Sequence, residues 1–118
     1  MKNQGFPKRL GFALHGIATA LRRERSLRLH AAAAVLVVAL LALAQPAPLW
    51  WAIMAITIGG VMAAELFNTA IEELADHLHP QQHPQIKIVK DCAAGAVLLA
   101  SLGALGVAAA FVYSLLFE

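Results

Sequence analysis

Residues 48–77 have the sequence PLWWAIMAITIGGVMAAELFNTAIEELADH, in which an apolar run continues directly into a polar segment. The run, residues 48–64, carries no charged side chain, as expected for a helix embedded in a membrane. At about 1.5 Å per residue, a helix over residues 49–76 is longer than the roughly 30 Å of bilayer hydrocarbon. The stretch therefore predicts a membrane helix whose polar end projects towards headgroups and water.

The polar end of this helix carries a strip of side chains that share one face. They follow one another at spacings of three, four and four residues, which matches the repeat of an α-helix. The members of this polar strip are Glu65, Asn68, Glu72 and Asp76. Because ionisable groups near membrane depth are costly and tend to face a cavity or a bundle interior, we interpret the strip as an active site. From spacing alone, the alternative is the solvated end of a long helix.

The composition also indicates a membrane protein. Of the 118 residues, 60% are hydrophobic and 14% are charged, which is too little polar surface for a soluble domain of this size. The length allows one domain, residues 1–118, and the single cysteine, Cys92, excludes an internal disulfide. Because the sequence lacks basic residues interleaved with aromatics on a soluble face, we expect no nucleic-acid partner.

Two further apolar runs and one amphipathic segment flank the long helix. The runs, about residues 27–44 and 91–117, are each long enough to cross a bilayer. In the segment of about residues 9–25, apolar residues such as Leu10 and Leu14 recur at helical spacing while most basic residues lie off that stripe. This pattern is typical of a helix that lies on the membrane surface. We therefore predict an all-α membrane protein with an N-terminal amphipathic surface helix and three transmembrane helices.

The distribution of basic residues predicts the orientation in the membrane. In this topology all nine lysines and arginines lie on one side, and the turn at residues 45–48 on the other side has none. They are Lys2, Lys8, Arg9, Arg22, Arg23, Arg25, Arg28, Lys87 and Lys90. Because cytoplasmic segments are enriched in lysine and arginine, this side, which also carries the polar strip, is predicted to face the cytoplasm.

The carboxylates on the same side indicate a type of chemistry. Mg²⁺ on a nucleotide prefers one or two carboxylates together with phosphate oxygens. A further carboxylate at the membrane boundary could take a proton from a lipid alcohol. The carboxylates on this side are Glu24, Glu65, Glu72, Glu73, Asp76 and Asp91, with Lys90 among them.

Two other classes of protein compete with this interpretation. A small proton- or ion-coupled transporter subunit could use the strip as an ion path, although it would need ionisable groups near the bilayer centre on more than one helix. A non-catalytic scaffold could use the strip to bind partner helices. ATP-independent cation uptake into proteoliposomes would favour the transporter, and absence of nucleotide binding would favour the scaffold.

The polar strip is part of a longer pattern. Residues 65–76 resemble the signature E-x-x-N-[ST]-A-[IV]-E-x-x-x-D of the small prokaryotic lipid kinases, the diacylglycerol kinase and undecaprenol kinase family. Residues 24–30, ERSLRLH, and 90–98, KDCAAGAVL, resemble the first and third blocks of the same family. The resemblance covers the chain from about residue 10 to its last residue.

The resemblance implies a role for each matching residue. It makes Glu65 the catalytic base that contacts the lipid hydroxyl, and it makes Arg28 a residue of the lipid entrance. Glu24 and Glu72 would hold the divalent metal, Mg²⁺. The residues implied to contact ATP are Glu24, Glu72, His83, Lys90 and Asp91, and those implied to support the site are Asn68 and Asp76. The segment before Gly16 does not align with the diacylglycerol kinase branch, so Lys8 and Arg9 receive no role.

The resemblance also implies an activity and an assembly. We expect transfer of the γ-phosphate of ATP to a lipid alcohol, in a homotrimer in the cytoplasmic (inner) membrane whose active site faces the cytoplasm. Gln81 and Gln82 replace an acidic and aromatic pair of the diacylglycerol kinase branch. Together with the Arg28-x-His30 entrance and the His83-Pro84 loop, this difference favours undecaprenol over diacylglycerol as the acceptor, with diacylglycerol, giving phosphatidic acid, as the alternative.

Overall fold

A computed structural model describes residues 3–118. This part of the chain forms four α-helices: α1 (Phe6–Arg23), α2 (Arg25–Ala44), α3 (Pro48–Leu78) and α4 (Pro84–Phe117). Helices α2, α3 and α4 are each long and apolar enough to cross a membrane, so the predicted all-α membrane class is confirmed. Of the basic residues used to predict the orientation, Lys2 lies outside the described residues.

Prolines and one left-handed residue determine where the helices begin and end. Helices α3 and α4 begin at Pro48 and Pro84, because the missing proline N–H has no helical partner in the first turn. Helix α2 ends at Ala44, and its C-cap residue Gln45 has the left-handed conformation φ 50°, ψ 54°. The Gln45 amide donates a hydrogen bond of 2.7 Å to the Ala42 carbonyl, which satisfies a group of the last turn.

The helix ends differ from the predicted ones, mainly on the polar side. Helix α4 begins at Pro84 rather than at about residue 91, and α3 continues two residues beyond the predicted end at 76. Helix α1 covers residues 6–23 rather than 9–25. Pro84 occupies a starting position that a helix accepts, so α4 begins before the apolar run does. The connecting loop is therefore only residues 79–83.

Glu24 is the single non-helical residue between α1 and α2, with φ −107° and ψ 112°. Its N–H donates to the Ala20 carbonyl at 2.8 Å. The guanidinium of Arg28 reaches back across the junction, and its Nη1 donates to the carbonyls of Leu21 and Arg22, both at 2.9 Å. These bonds satisfy carbonyls at the end of α1, so the orientation of α1 on α2 is held by α2 itself.

The packed core lies near the Gln45 turn, away from the polar strip. Leu41 of α2, Met54 of α3 and Phe111 of α4 are buried together there. Trp50 meets Phe111 edge to face, with ring centroids 5.1 Å apart, so this indole belongs to the core. Elsewhere the apolar side chains of the three long helices are mostly exposed in the single chain, as expected of surfaces that face lipid or another subunit.

Candidate active site

Of the charged residues in the described part of the chain, Glu65 alone is buried, with 3% of its surface exposed. It lies on α3 and faces the first two turns of α2. The Ser26 hydroxyl donates a hydrogen bond of 2.7 Å to Oε1 of Glu65. Nδ1 of His30 lies 2.7 Å from the same oxygen, but the ring N–H does not point at it, so the two atoms are in contact without an aligned hydrogen bond.

The next members of the polar strip lie one and two turns further along α3. Nδ2 of Asn68 approaches Oε1 of Glu72 at 3.5 Å, the outer limit of a hydrogen bond. Oδ1 of Asn68 is buried and has no hydrogen-bond partner among residues 3–118. A buried acceptor without a partner calls for a ligand, ion or water beside it, so this amide oxygen is an open position next to Glu72.

The junction of α1 and α2 lies against the same part of α3. Arg23 and Glu73 form an exposed ion pair of 3.5 Å, and these residues adjoin Glu24 and Glu72 in the chain. Glu73 is therefore an exposed residue with a partner on α1. Residues 3–118 contain no group of three histidine, cysteine or acidic side chains close enough to hold a metal by themselves. Glu72 and the Asn68 amide oxygen are neighbouring oxygen donors of the kind that suits an ion taking most of its ligands from phosphate and water.

Two lysine–carboxylate pairs flank the loop of residues 79–83. Nζ of Lys90 lies 2.6 Å from Oδ1 of Asp76 and so links α4 to the end of α3. Nζ of Lys87 lies 2.5 Å from Oδ2 of Asp91, one turn along α4. Lys90 precedes the apolar part of α4 and lies outside the membrane-spanning segment; its hydrogen bond to the Asp76 carboxylate raises the pKa of Lys90 above the ordinary value.

The loop between α3 and α4 forms an open cavity of about 570 Å³ with these pairs. Its lining includes Asp76, His83, Lys90 and Asp91, four residues of the predicted site, together with His79. The rings of His79 and His83 meet edge to face with centroids 5.3 Å apart. Polar groups of both charges and two aromatic rings therefore border a space large enough for a nucleotide.

The two rings have different hydrogen-bonding states. Nδ1 of His83 accepts a hydrogen bond of 3.1 Å from the Gln85 N–H, which places His83 at the N-cap of α4. Nδ1 of His79 lies 2.8 Å from the Gln81 carbonyl oxygen and must donate to it. In the neutral rings, Nε2 of His83 is then a donor and Nε2 of His79 an acceptor.

A second, apolar cavity of about 130 Å³ lies between α2, α3 and α4. Its walls consist mainly of small and aliphatic side chains such as Ala33, Ala34 and Met62. His30 lines it as well, and because His30 also contacts Glu65, the cavity adjoins the buried carboxylate. An apolar space beside a reactive polar group suits the chain of a lipid.

The structure thus divides the predicted residues into neighbouring sets. Glu65 contacts His30, which lines the apolar cavity, whereas Asp76, His83, Lys90 and Asp91 border the loop cavity. Arg28 contacts the end of α1, a role that the sequence did not indicate. Ser26, His30, Lys87 and His79 were not predicted as site residues. For Ser26 and His30 the sequence carries a signal, since both belong to the ERSLRLH block of residues 24–30 and lie one helical turn apart.

Comparison with known proteins identifies the family to which this chain is similar. Residues 11–112 match the family described as prokaryotic diacylglycerol kinase. An undecaprenol kinase of Bacillus subtilis (strain 168) is 41% identical over 92 residues, which are 78% of this chain and 75% of that protein. A diacylglycerol kinase of Synechocystis sp. is 38% identical over 94 residues, which are 79% of this chain and 54% of that protein. The match thus spans about half of the Synechocystis protein.

Proposed function

The chain belongs to the prokaryotic diacylglycerol kinase family, and from that premise we propose that it is a lipid kinase that transfers the γ-phosphate of ATP to the hydroxyl of a membrane lipid alcohol. One observation carries the proposal. Glu65 is buried where an apolar cavity between the long helices meets the polar end of α3. A proton acceptor at that position suits an acceptor alcohol whose chain stays in the membrane.

The nucleotide occupies the loop cavity in this proposal. His83, Lys90 and Asp91 border that space, and the ammonium of Lys90 is available to the phosphates. Asp76 holds Lys90 in place through their 2.6 Å contact. Asp76 thus supports the site by holding Lys90 in place, and Asn68 supports it in the same way beside Glu72.

Glu24 and Glu72 are the residues that would hold Mg²⁺, with Asn68 Oδ1 as a neighbouring oxygen donor. When bound, the ion neutralises charge on the phosphates. Glu24 is suited to this role because it sits at the rigid junction of α1 and α2, where backbone and Arg28 hydrogen bonds fix its position. Holding the reacting groups in one geometry is the main contribution of a protein to phosphoryl transfer.

In the phosphoryl transfer, the chemical contribution of the protein's own side chains is to accept a proton. The lipid oxygen attacks the γ-phosphorus, a new P–O bond forms, and the bond from phosphorus to the oxygen of the departing ADP breaks. Glu65 takes the proton that the hydroxyl loses. Arg28 lies at the lipid entrance; Nη1 is bonded to α1, and the other guanidinium nitrogens have no hydrogen bond among residues 3–118 and serve the lipid.

Undecaprenol is the acceptor that we favour. The apolar cavity has two polar side chains in its lining, His30 and Thr57, and the Thr57 hydroxyl is already bonded to the Ile53 carbonyl at 2.7 Å. Diacylglycerol carries two ester groups beside its hydroxyl that need polar partners on burial, whereas a polyprenol carries none. The relative named undecaprenol kinase supports the same choice, and the relative named diacylglycerol kinase keeps diacylglycerol as the alternative.

The site faces the cytoplasm in this proposal, and the protein is a homotrimer. The orientation is supported by the basic residues, and the trimer by the small buried core of the single chain beside large apolar helix surfaces. Both features agree with a multi-pass protein of the cytoplasmic membrane.

The test is phosphate transfer from γ-labelled ATP by purified protein in mixed micelles with Mg²⁺, with undecaprenol and diacylglycerol offered in separate reactions. We expect labelled undecaprenyl phosphate to form faster. Faster labelling of diacylglycerol would correct the acceptor, and labelling of neither lipid by folded protein would refute the lipid kinase. Cation uptake without ATP consumption would favour the transporter.

A further inference from the structure

Oε1 of Glu65 is contacted twice by α2. The Ser26 hydroxyl donates to it at 2.7 Å, and Nδ1 of His30 lies 2.7 Å from it. Ser26 and His30 are one helical turn apart, so both side chains leave the same face of α2. Oε2 of Glu65, by contrast, has no hydrogen bond within residues 3–118. The two carboxylate oxygens are therefore not equivalent.

The contacts limit which oxygen can react. An oxygen that already accepts a short hydrogen bond and touches a ring nitrogen has little room for an incoming hydroxyl. Nδ1 of His30 touches the same oxygen at 2.7 Å without an aligned hydrogen bond, so the ring restricts access to Oε1 by its position. Only 3% of the Glu65 surface is exposed, which limits the water that would otherwise compete for its carboxylate.

We propose that Ser26 and His30 form a clamp on Oε1 of Glu65 that presents Oε2 to the acceptor hydroxyl. Both residues act through Glu65, so they are positioning residues for proton transfer. The inference rests on the proposed function, because it assigns Glu65 as the base. It adds to that function the reacting oxygen and the two side chains that select it.

The first experiment removes the serine bond and then restores it. Ser26→Ala should lower kcat about 10- to 100-fold, because the Glu65 carboxylate is no longer held in the reactive geometry, and leave KM for MgATP within about twofold. Ser26→Thr keeps the hydroxyl and should recover most of the lost kcat. Ser114→Ala is the matched control, since it removes another serine–carboxylate bond, the 3.1 Å contact with Glu118 at the far end of α4.

The second experiment asks which histidine nitrogen matters. The amide nitrogen of asparagine occupies the position of Nδ1, and that of glutamine the position of Nε2. If the Nδ1 contact positions Glu65, His30→Asn should keep several-fold more kcat than His30→Gln. The reverse order, or wild-type kcat in Ser26→Ala, would overturn the clamp.

A readout that needs no activity separates this proposal from the proposed function. Inactive wild-type protein on both lipids would refute the lipid kinase, while the clamp would still be judged by thermal unfolding in micelles. The Tm shifts of Ser26→Ala and Glu65→Ala should not add in the double variant, because both remove the same contact. Additive shifts would overturn the clamp whether or not the protein is a kinase.

Discussion

Glu65→Gln tests the proposed base with little change of shape. Glutamine has nearly the same size, and its amide oxygen can still accept the 2.7 Å hydrogen bond from Ser26. The fold should therefore survive, with Tm within a few degrees of wild type. What disappears is the ability to take a proton.

The expected loss follows from that role. General base catalysis contributes about 10²- to 10⁴-fold, so kcat should fall by that factor, or about 3–5 kcal/mol in activation free energy. KM for MgATP should stay within about twofold, because Glu65 borders the apolar cavity through His30 and does not line the loop cavity. The assay is steady-state transfer to undecaprenol in mixed micelles, with ATP varied at saturating lipid.

Glu73→Gln is the matched control for this experiment. It makes the same chemical change two turns further along α3, in an exposed side chain whose only ion-pair partner among residues 3–118 is Arg23. An exposed pair of this kind contributes little to stability, so kcat and Tm should stay close to wild type. Wild-type kcat in Glu65→Gln, or an equal loss in both variants, would refute the assignment of Glu65 as the base.

Three further predictions concern the nucleotide site and the core. Asp76→Asn should lower the pKa of Lys90 towards its ordinary 10.5. Lys90 then loses its charge at a lower pH than in wild type, and KM for MgATP should rise at that lower pH. Identical KM–pH curves for the two proteins between about pH 9 and about pH 11 would contradict this. Chelating Mg²⁺ with EDTA should abolish transfer and added Mg²⁺ should restore it, and full activity in EDTA would rule out the metal role of the two carboxylates. Leu41→Ala should lower the free energy of unfolding by about 2–5 kcal/mol, because Leu41 is only 1% exposed. Leu40→Ala, at a position that is 49% exposed, is the control and should lower it much less. Equal losses in unfolding experiments would show that the core lies elsewhere.

Much of this architecture can be predicted from short-range patterns. The apolar runs determine the number of long helices, and the spacing from Glu65 to Asp76 places the strip on one face without knowledge of the fold. The same spacing cannot tell which strip member is buried. Glu65 is buried because α2 crosses α3 at that turn and covers it with Ser26 and His30, a packing relation that one segment does not contain.

Other features depend on relations that periodicity does not report. Periodicity does not indicate that the Arg28 guanidinium reaches back to α1, which it does because the one-residue break at Glu24 leaves carbonyls there in need of donors. The early start of α4 at Pro84 brings Lys87 within one turn of Asp91, so these residues pair with each other. Both outcomes follow from helix ends, the least certain part of sequence-based reasoning.

The Arg28 contact bears on how lipids reach and leave the site. Swinging α1 away from α2 would break both bonds from Nη1 to the Leu21 and Arg22 carbonyls, which makes a hinged opening of the surface helix unfavourable. The apolar cavity, in contrast, lies between the long helices and is not sealed by the single chain. We therefore expect substrate and phosphorylated product to exchange laterally, by diffusion within one leaflet, so that turnover depends on membrane fluidity more than on movement of α1.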